Sequence, residues 1–268
     1  MKISVVTVCR NEEKNIERTI RSVLAQNCND FEYIICDGES TDRTLEIADS
    51  YKSAFEEKNI PYRIISKKDN GTYFGMNNAI DAANGDYIIF MNSGDRFNNK
   101  DVIKDTVSAM SGIKADIYCG ETNYIENGYC WLIGNDCNKL DKFMSVNHQA
   151  IFASSELMKK RPFDTKYRIC ADYDFLLYAK YNGYKLVNID VVVADYTSEG
   201  LSEANLQKTT DEAIEIASEH IPDMNKKEIL ATYKKINFTI KLKRSAPHFV
   251  WALFCLVAGR KKYEDKDI

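Results

Sequence analysis

The sequence predicts an α/β fold in which a mostly parallel sheet is flanked by helices. The first two-thirds of the chain alternates short, β-branched apolar runs with amphipathic helical patterns. Four strand–helix repeats of this kind are typical of a parallel sheet with helices on both faces. The 268 residues, 44% of them hydrophobic, suffice for one large domain with a short appendage. We expect a domain over residues 1–205 and a helical C-terminal extension over residues 206–268.

Continuous apolar runs predict the four strands, because strands buried on both faces do not alternate in polarity. They lie at residues 3–8, 31–36, 62–66 and 87–91. Helical periodicity follows the first three strands, at residues 12–26, 45–55 and 76–83. Beyond residue 117 the pattern is looser, until a helix at residues 172–182 and an apolar strand at residues 184–195. Ligands bind beyond the carboxyl ends of such strands, so the polar loops after strands 1, 2 and 4 should share one crevice.

Composition excludes several classes of protein. The net charge of −4 gives no basic face for nucleic acid. Eight scattered cysteines without a CxxC pair indicate reduced, buried thiols rather than disulfides. No apolar run reaches the ~20 residues that a membrane-spanning helix needs. Because the N-terminus leads directly into a strand rather than a signal peptide, we expect a cytoplasmic protein.

The loop after strand 1 lacks the glycine-rich motifs that bind phosphates in other α/β folds. A dinucleotide-binding fold would place G-x-G-x-x-G there, whereas this loop reads Cys-Arg-Asn-Glu-Glu at residues 9–13. A P-loop is also absent from the sequence. A bound diphosphate would therefore need another source of positive charge, and a divalent cation held by carboxylates supplies one. The missing basic, glycine-rich loop also disfavours a nucleotidyltransferase.

Two aspartates follow predicted strands. Asp95 closes the Asn-Ser-Gly-Asp segment after strand 4 and could bind Mg²⁺ or Mn²⁺ together with phosphate oxygens and waters. Asp37 ends strand 2 and could accept a hydrogen bond from the imide N–H of uracil. Both residues also suit ordinary turns, and the local sequence leaves these alternatives open.

Two further residues could act near a reacting group. Asp172 lies at the start of a predicted helix among apolar and aromatic neighbours, where burial could raise its pKa toward that of a general base. An N-cap is the alternative role. His148 is one of three histidines in the chain, and a structural, hydrogen-bonded histidine is its alternative.

With these residues assembled, the chain resembles a family 2 glycosyltransferase of the GT-A fold. The resemblance runs from Ile3 to about Ser202 and rests on two elements in order, DG-x-S-x-D after strand 2 and G-x-Y-I-x-F-x-N-x-x-D through strand 4. It also includes the segments NHQAIF and ICADYDFLL. It implies a Rossmann-like domain with a nucleotide-binding half over residues 1–100 and an acceptor half over residues 101–205. The implied activity belongs to bacterial polysaccharide biosynthesis and moves a sugar, with inversion, from a nucleoside diphosphate to a glycan or lipid-linked hydroxyl.

The resemblance also implies residue roles. Asp95 would be the metal-binding aspartate of the D-x-D motif, Asp172 the catalytic base, and His148 a residue on the acceptor side. Gly200 and Ser202 lie where the family has a loop that closes over substrate. The pocket for the nucleotide sugar, with UDP favoured because of Asp37, would be lined by Thr7, Asn11, Glu12, Asp37, Asp69, Thr72 and Asn92.

The chain departs from the family pattern at three positions. Asn92 replaces the first acidic residue of D-x-D, Ala171 replaces the acidic residue that often precedes the base, and Phe74 stands where a carboxylate is common. These departures leave an alternative, a sugar-nucleotide or glycan-binding module that has kept the fold without the chemistry.

Residues 234–262 carry eight Lys or Arg and no Asp or Glu, and the apolar run 249–257 lies between the basic clusters. Cationic flanks around a Trp/Phe/Leu body suit the surface of an anionic membrane, which would place the enzyme peripherally at the inner face. A helix packed on the domain with solvated lysines around it is the alternative.

Overall fold

The computed structural model describes residues 1–197, 201–245, 255 and 257–263. In this part of the chain the strands form one ten-stranded sheet in the order β10-β7-β6-β8-β4-β1-β2-β3, with β9 paired to β6 and β5 paired to β9. The strands are β1 (Ile3–Cys9), β2 (Phe31–Asp37), β3 (Tyr62–Ser66), β4 (Tyr87–Phe90), β5 (Arg96–Phe97), β6 (Ile117–Glu126), β7 (Tyr129–Ile133), β8 (Ile151–Ser154), β9 (Leu186–Thr197) and β10 (Lys261–Lys262). The helices are α1 (Ile16–Leu24), α2 (Thr44–Asp49), α3 (Lys52–Glu57), α4 (Thr72–Ala82), α5 (Val102–Met110), α6 (Ser155–Lys160), α7 (Ala171–Tyr181), α8 (Leu201–Ala204), α9 (Leu206–His220) and α10 (Lys226–Ser245).

The first half of the sheet is parallel, as predicted. β1 pairs in parallel with both β2 and β4, and β2 pairs in parallel with β3. Every residue of β1 and β2 is buried, which explains their continuous apolar sequences. The α/β fold predicted from these repeats is confirmed.

The second half of the sheet is mixed. β8 runs antiparallel to both β4 and β6, so β4 and β6 point in the same direction, and β9 is parallel to β6. The β6–β7 hairpin turns at Asn127 and Gly128, which both have positive φ, the backbone conformation that such tight turns require. The carboxyl ends of β1, β2, β3, β4, β6 and β9 therefore lie at one edge of the sheet.

Helices cover both faces of the sheet. One apolar layer joins the sheet to α1, α3 and α5, and the other joins it to α4, α7, α9 and α10. Buried residues of α9 and α10, among them Ile216 and Tyr233, belong to the second layer. The first turns of α4 and α7 thus lie on the same side of the carboxyl edge.

Several elements differ from the sequence predictions. β5, α5 and α6 were not predicted, and the helix predicted at residues 45–55 is divided into α2 and α3. All eight cysteines are free, as predicted, although Cys28 and Cys130 are only partly buried. Within the described residues, no helix combines the length and apolar character needed to cross a membrane. Gly200 of the predicted closing loop and most of the apolar run 249–257 lie outside the described residues.

Candidate active site

The loops that follow β1 and β2 are bonded to each other. The backbone N–H of Asn11, which has φ of 55°, donates to Ser40 Oγ over 2.8 Å, and Asn11 Oδ1 accepts from the N–H of Thr41 over 2.8 Å. The N–H of Glu12 donates to Thr44 Oγ1 over 2.7 Å. Asn11 is exposed at this edge and Glu12 is partly exposed, so both side chains are accessible to a ligand.

Thr7 lies deeper than its neighbours in the predicted pocket. Its side chain is fully buried, and its hydroxyl donates to the carbonyl of Met91 over 2.7 Å and lies 2.9 Å from the Tyr33 hydroxyl. These bonds tie β1 to β2 and to the end of β4. Thr7 therefore supports the loops at the carboxyl edge from beneath.

Asp37 is almost completely buried at the end of β2. Its Oδ2 accepts from the N–H of Ser40 over 2.9 Å and from Ser66 Oγ over 2.8 Å, and its Oδ1 accepts from the hydroxyl of Ser40. A carboxylate has about four lone-pair sites, and the fourth faces only the thiol of Cys9, a weak donor 3.9 Å from Oδ1 that a stronger donor from a ligand could replace. The three bonds hold the carboxylate in a fixed orientation.

Asp69 lies against the strand-2 loop because two glycines make room for it. A Cβ at residue 38 would lie 2.9 Å from Asp69 Oδ2, and a Cβ at residue 75 would lie 2.6 Å from Val8 Cγ1 and 3.1 Å from the same carboxylate oxygen. Gly38 and Gly75 are thus required for this approach. Asp69 Oδ1 accepts from the N–H of Gly71 over 3.1 Å, directly before α4 begins at Thr72.

Four side chains from distant parts of the sequence, one of them on α4, form a network of contacts. The hydroxyl of Tyr73 donates to Asp172 Oδ1 over 3.0 Å. Asp172 Oδ2 lies 3.8 Å from His148 Nδ1, and His148 Nε2 lies 3.0 Å from Asn92 Nδ2. Three of these residues, Asn92, His148 and Asp172, were predicted site residues, and the fold brings them together.

Burial sets the charge states of this network. It raises the pKa of Asp172, opposed by His148 and Tyr73, and it lowers the pKa of His148. The imidazole is therefore neutral at pH 7. With the Asn92 amide nitrogen facing the ring, Nε2 must accept and Nδ1 must carry the proton, which then faces Asp172.

The N-cap role considered for Asp172 does not match the structure. Cys170 occupies the N-cap position of α7, and Asp172 lies in the first turn. Its Oδ1 also accepts from the N–H of Tyr173 over 2.9 Å. The helix N-terminus thus favours the carboxylate while burial opposes its ionisation.

Asp95 is held in the turn after β4. Thr19 Oγ1 donates to the Asp95 carbonyl over 2.6 Å, and Gln149 Nε2 donates to Asp95 Oδ1 over 3.3 Å. Burial raises the pKa of Asp95 to about 7, and the nearby Gln149 and Arg18 oppose this rise. The neighbouring protein groups therefore do not stabilise the negative charge of ionised Asp95 enough to offset its burial.

Asn92 contributes a second oxygen to this turn. Its Oδ1 is buried and makes no hydrogen bond, although its Nδ2 contacts His148. An unpaired buried acceptor is costly. Amide and carboxylate oxygens are the ligands that hard divalent cations prefer, so the turn from Asn92 to Asp95 has the chemistry of a cation site.

A family model described as "Glycosyl transferase family 2" matches residues 4–159 of this chain, more than half of its length. The chain belongs to glycosyl transferase family 2. It is therefore a glycosyltransferase, and the family predicted from the sequence is confirmed. The matched segment carries Asp37, Asp95 and His148, while Asp172 lies beyond it.

Similar proteins agree with this assignment. A PGL/p-HBAD biosynthesis glycosyltransferase of Mycobacterium bovis is 29% identical over 201 residues, covering 74% of this chain and 77% of the relative. The crystal structure of S. aureus TarS 1–349 in complex with UDP has a TM-score of 0.64 at 19% identity, covering 92% of this chain and 76% of the TarS 1–349 chain. The mannosyltransferase PcManGT from Pyrobaculum calidifontis, in complex with GDP-Man and Mn²⁺, has a TM-score of 0.64 at 15% identity, covering 96% of this chain and 79% of the PcManGT chain. The GT-A fold of this glycosyltransferase is thereby confirmed.

The sequence analysis missed three residues of the glycosyltransferase site. Tyr73, Gln149 and Arg18 contact or flank the predicted aspartates, but only the fold shows which aspartate each one meets. Gln149 follows His148 directly, so its position in the NHQAIF segment was an available signal.

A separate acidic group lies outside this site. Asp174, Glu219 and His220 place potential ligand atoms within 4.8 Å of one another. However, Asp174 already accepts from Arg161 and His220, each over 2.8 Å, and Glu219 pairs with Lys166. These partners satisfy the carboxylates, so we assign the group to packing between α7 and α9.

Proposed function

We propose that this glycosyltransferase moves a sugar from a nucleoside-diphosphate donor, with UDP favoured, to a hydroxyl of a glycan or lipid-linked acceptor, with inversion and with the help of a divalent cation. The observation that carries the proposal is the position of Asp172, a partly buried carboxylate with a raised pKa that Tyr73 and His148 contact beside the turn of Asp95. A carboxylate with a raised pKa is a stronger base than an ordinary aspartate and is suited to accept the proton of a hydroxyl.

Asp172 would act as the general base. Its Oδ1 is occupied by the Tyr73 hydroxyl and the N–H of Tyr173, which leaves Oδ2 to accept the proton of the acceptor hydroxyl. As that proton arrives, the alkoxide oxygen attacks the anomeric carbon from the side opposite the diphosphate. A single displacement of this kind inverts the configuration at that carbon.

The divalent cation, Mg²⁺ or Mn²⁺, would be held by Asp95 and by Asn92 Oδ1. The unpaired amide oxygen and the weakly compensated carboxylate fit such an ion. When bound, the ion would stabilise the negative charge that develops on the leaving diphosphate. The chain's own contribution is to fix the turn through Thr19 and Gln149.

The donor would lie over the loops after β1, β2 and β3, beside Asn11, Glu12, Asp37, Asp69 and Thr72. UDP in TarS and GDP-Man in PcManGT show that proteins of this fold accept different bases. Asp37, which is fixed by Ser40 and Ser66, supports uracil because the lone pair that faces the weak Cys9 thiol donor can instead accept from the imide N–H.

We therefore expect UDP-glucose with Mn²⁺ to raise the melting temperature more than GDP-mannose does. Thermal unfolding of the wild type and of Asp37→Asn measures this preference. The variant should lose most of the UDP-specific shift, since its amide can place an N–H where the imide needs an acceptor. A larger shift with GDP-mannose in the wild type would refute the preference for UDP.

The extension of this protein presents a cationic and apolar stripe on α10. Phe238 and Leu242 are 66% and 59% exposed, and Lys234, Lys235 and Lys241 are exposed on the same face. The opposite face of the helix buries Ile229 and Tyr233 in the core. We propose that this stripe contacts the surface of an anionic membrane and brings the site near a lipid-linked acceptor.

Replacing Phe238 and Leu242 with Ser should lower binding to vesicles that contain phosphatidylglycerol, because the inserted apolar area is lost. Co-sedimentation of the intact enzyme with anionic and neutral vesicles measures the effect. A matched control replaces Ile113 and Leu132, which are 40% and 50% exposed elsewhere on the protein. Equal binding by both double variants and the wild type would exclude a role for the stripe.

A further inference from the structure

One cavity of the protein is lined by none of the residues assigned to the candidate active site. It has a volume of about 660 Å³ and lies between β5, β7, β9 and the C-terminal segment at residues 258–263. Among the described residues that line it, Arg96, Arg260, Lys261 and Lys262 are cationic and only Asp195 is acidic. Arg96 pairs with Asp195 and Arg260 lies on Trp131, so the exposed Lys261 and Lys262 are the cations that favour an anionic occupant, although the whole chain carries a net charge of −4.

The lining is also suited to a saccharide. Trp131 and Tyr263 supply aromatic rings, each with a guanidinium over it, so the remaining ring surface would meet a sugar. Asn98 and Asn123 each have a second amide N–H for a hydroxyl group beside the one given to Asp195. The guanidinium of Arg260 lies 3.7 Å from the centre of the Trp131 ring. Aromatic faces combined with amides and cations bind sugar rings that carry negative charge.

The charged groups of this cavity are held in place. Arg96 Nη2 pairs with Asp195 Oδ2 over 3.1 Å, and Asp195 Oδ1 accepts from Asn98 Nδ2 over 2.7 Å and from Asn123 Nδ2 over 3.2 Å. The Tyr263 hydroxyl contacts Arg96 and lies 3.4 Å from Arg18 Nη2. Because these side chains are already ordered, the protein would lose less conformational entropy when a ligand binds.

Short connections join the cavity to the active site. Arg96 directly follows Asp95 in the sequence. Asn123 follows Thr122, whose Oγ1 accepts from Asn147 over 2.7 Å, and Asn147 precedes His148. Since successive residues of a strand face opposite sides, the cavity and the His148 loop lie back to back at one edge of the sheet.

We propose that this cavity binds an anionic saccharide, the charged part of an acceptor chain that is remote from the reacting hydroxyl. The acceptor would cross the carboxyl edge of the sheet between the two sites. The assignment to the acceptor rests on the proposed function, whereas binding of the saccharide does not.

The fluorescence of Trp131 can report the binding of a saccharide in this cavity. The chain has two tryptophans, so Trp251→Phe leaves Trp131 as the only one, and its emission can be followed without donor or metal. We expect trigalacturonate to change this emission saturably and maltotriose to have no effect at the same concentrations. In that background, Lys261→Glu with Lys262→Glu should weaken trigalacturonate binding at least about tenfold, because two exposed cations become anions.

The matched control is Lys234→Glu with Lys235→Glu, an exposed lysine pair on α10 away from the cavity, which should change the affinity less than about twofold. Thermal unfolding verifies that each variant is folded. Three results would overturn the proposal: no binding of trigalacturonate, equal binding of maltotriose or sodium pyrophosphate, or equal losses in both lysine variants. A loss of turnover in Asp172→Asn with unchanged trigalacturonate affinity would separate this site from the catalytic one.

Discussion

Asp172→Asn should lower turnover at least about a hundredfold and leave donor affinity nearly unchanged, since general-base catalysis contributes roughly 100- to 10,000-fold. The amide keeps the shape of the carboxylate and an oxygen for Tyr73, but it cannot take the proton of the acceptor. Single-turnover transfer from a radiolabelled UDP-sugar measures the rate, and calorimetry with UDP and Mn²⁺ measures donor binding. Near wild-type turnover in the variant would remove Asp172 as the base.

Asp174 is a matched control on the same helix. Its carboxylate is only 1% exposed and pairs with Arg161 and His220 rather than with the site. Asp174→Asn should lower the free energy of unfolding by about 3 kcal/mol, because a buried ion pair loses one partner. Turnover per folded molecule should be kept. Asp172→Asn should show the opposite pattern, a slow reaction in a protein that is no less stable.

The parallel half of the fold could be predicted because each of its strands is a single apolar run. β1 and β2 are buried along their whole length, so burial alone dictates their composition. The second half pairs through strands of mixed exposure. β7 alternates buried and exposed residues irregularly, and β5 has only two residues, so neither carries a periodic signal.

The candidate site, like the fold, has a part that the sequence predicts and a part that it does not. Asp37 and Asp95 could be found because each follows a buried strand, and the edge they share follows from parallel topology. The contact of Asp172 with Tyr73 spans 99 residues, and that of Asp95 with Gln149 spans 54. The second pair depends on how β8 runs antiparallel beside β4, and the first on how α7 lies against α4, and no local pattern in the sequence indicates either. The large basic cavity also escapes prediction, because residues 96, 131 and 260 meet only in the folded chain.

Asp95→Asn should abolish the effect of Mn²⁺ on donor binding. In the wild type, the dissociation constant of UDP should be much larger in EDTA than in Mn²⁺. In the variant, the ratio of these two dissociation constants should fall to about one. Asp86→Asn is the matched control, since this exposed carboxylate lies at the opposite end of β4. Calorimetry with and without Mn²⁺ measures the ratio, and an unchanged ratio in Asp95→Asn would exclude Asp95 from the metal site.

The same substitution has a second consequence for the metal-free protein. Burial raises the pKa of Asp95 from 3.8 to about 7, so the folded state binds its proton more tightly than the unfolded chain does. Protonated Asp95 therefore adds to the free energy of unfolding, and this contribution is fully present below about pH 4. It is lost as pH rises toward about 7, and the loss is at most about 4 kcal/mol. In EDTA, Asp95→Asn should therefore be more stable than the wild type at pH 8, and the difference should shrink or reverse at pH 4. Chemical unfolding at both pH values measures it, and equal pH profiles would show that the carboxylate costs the fold nothing, which would remove the reason to expect a compensating cation.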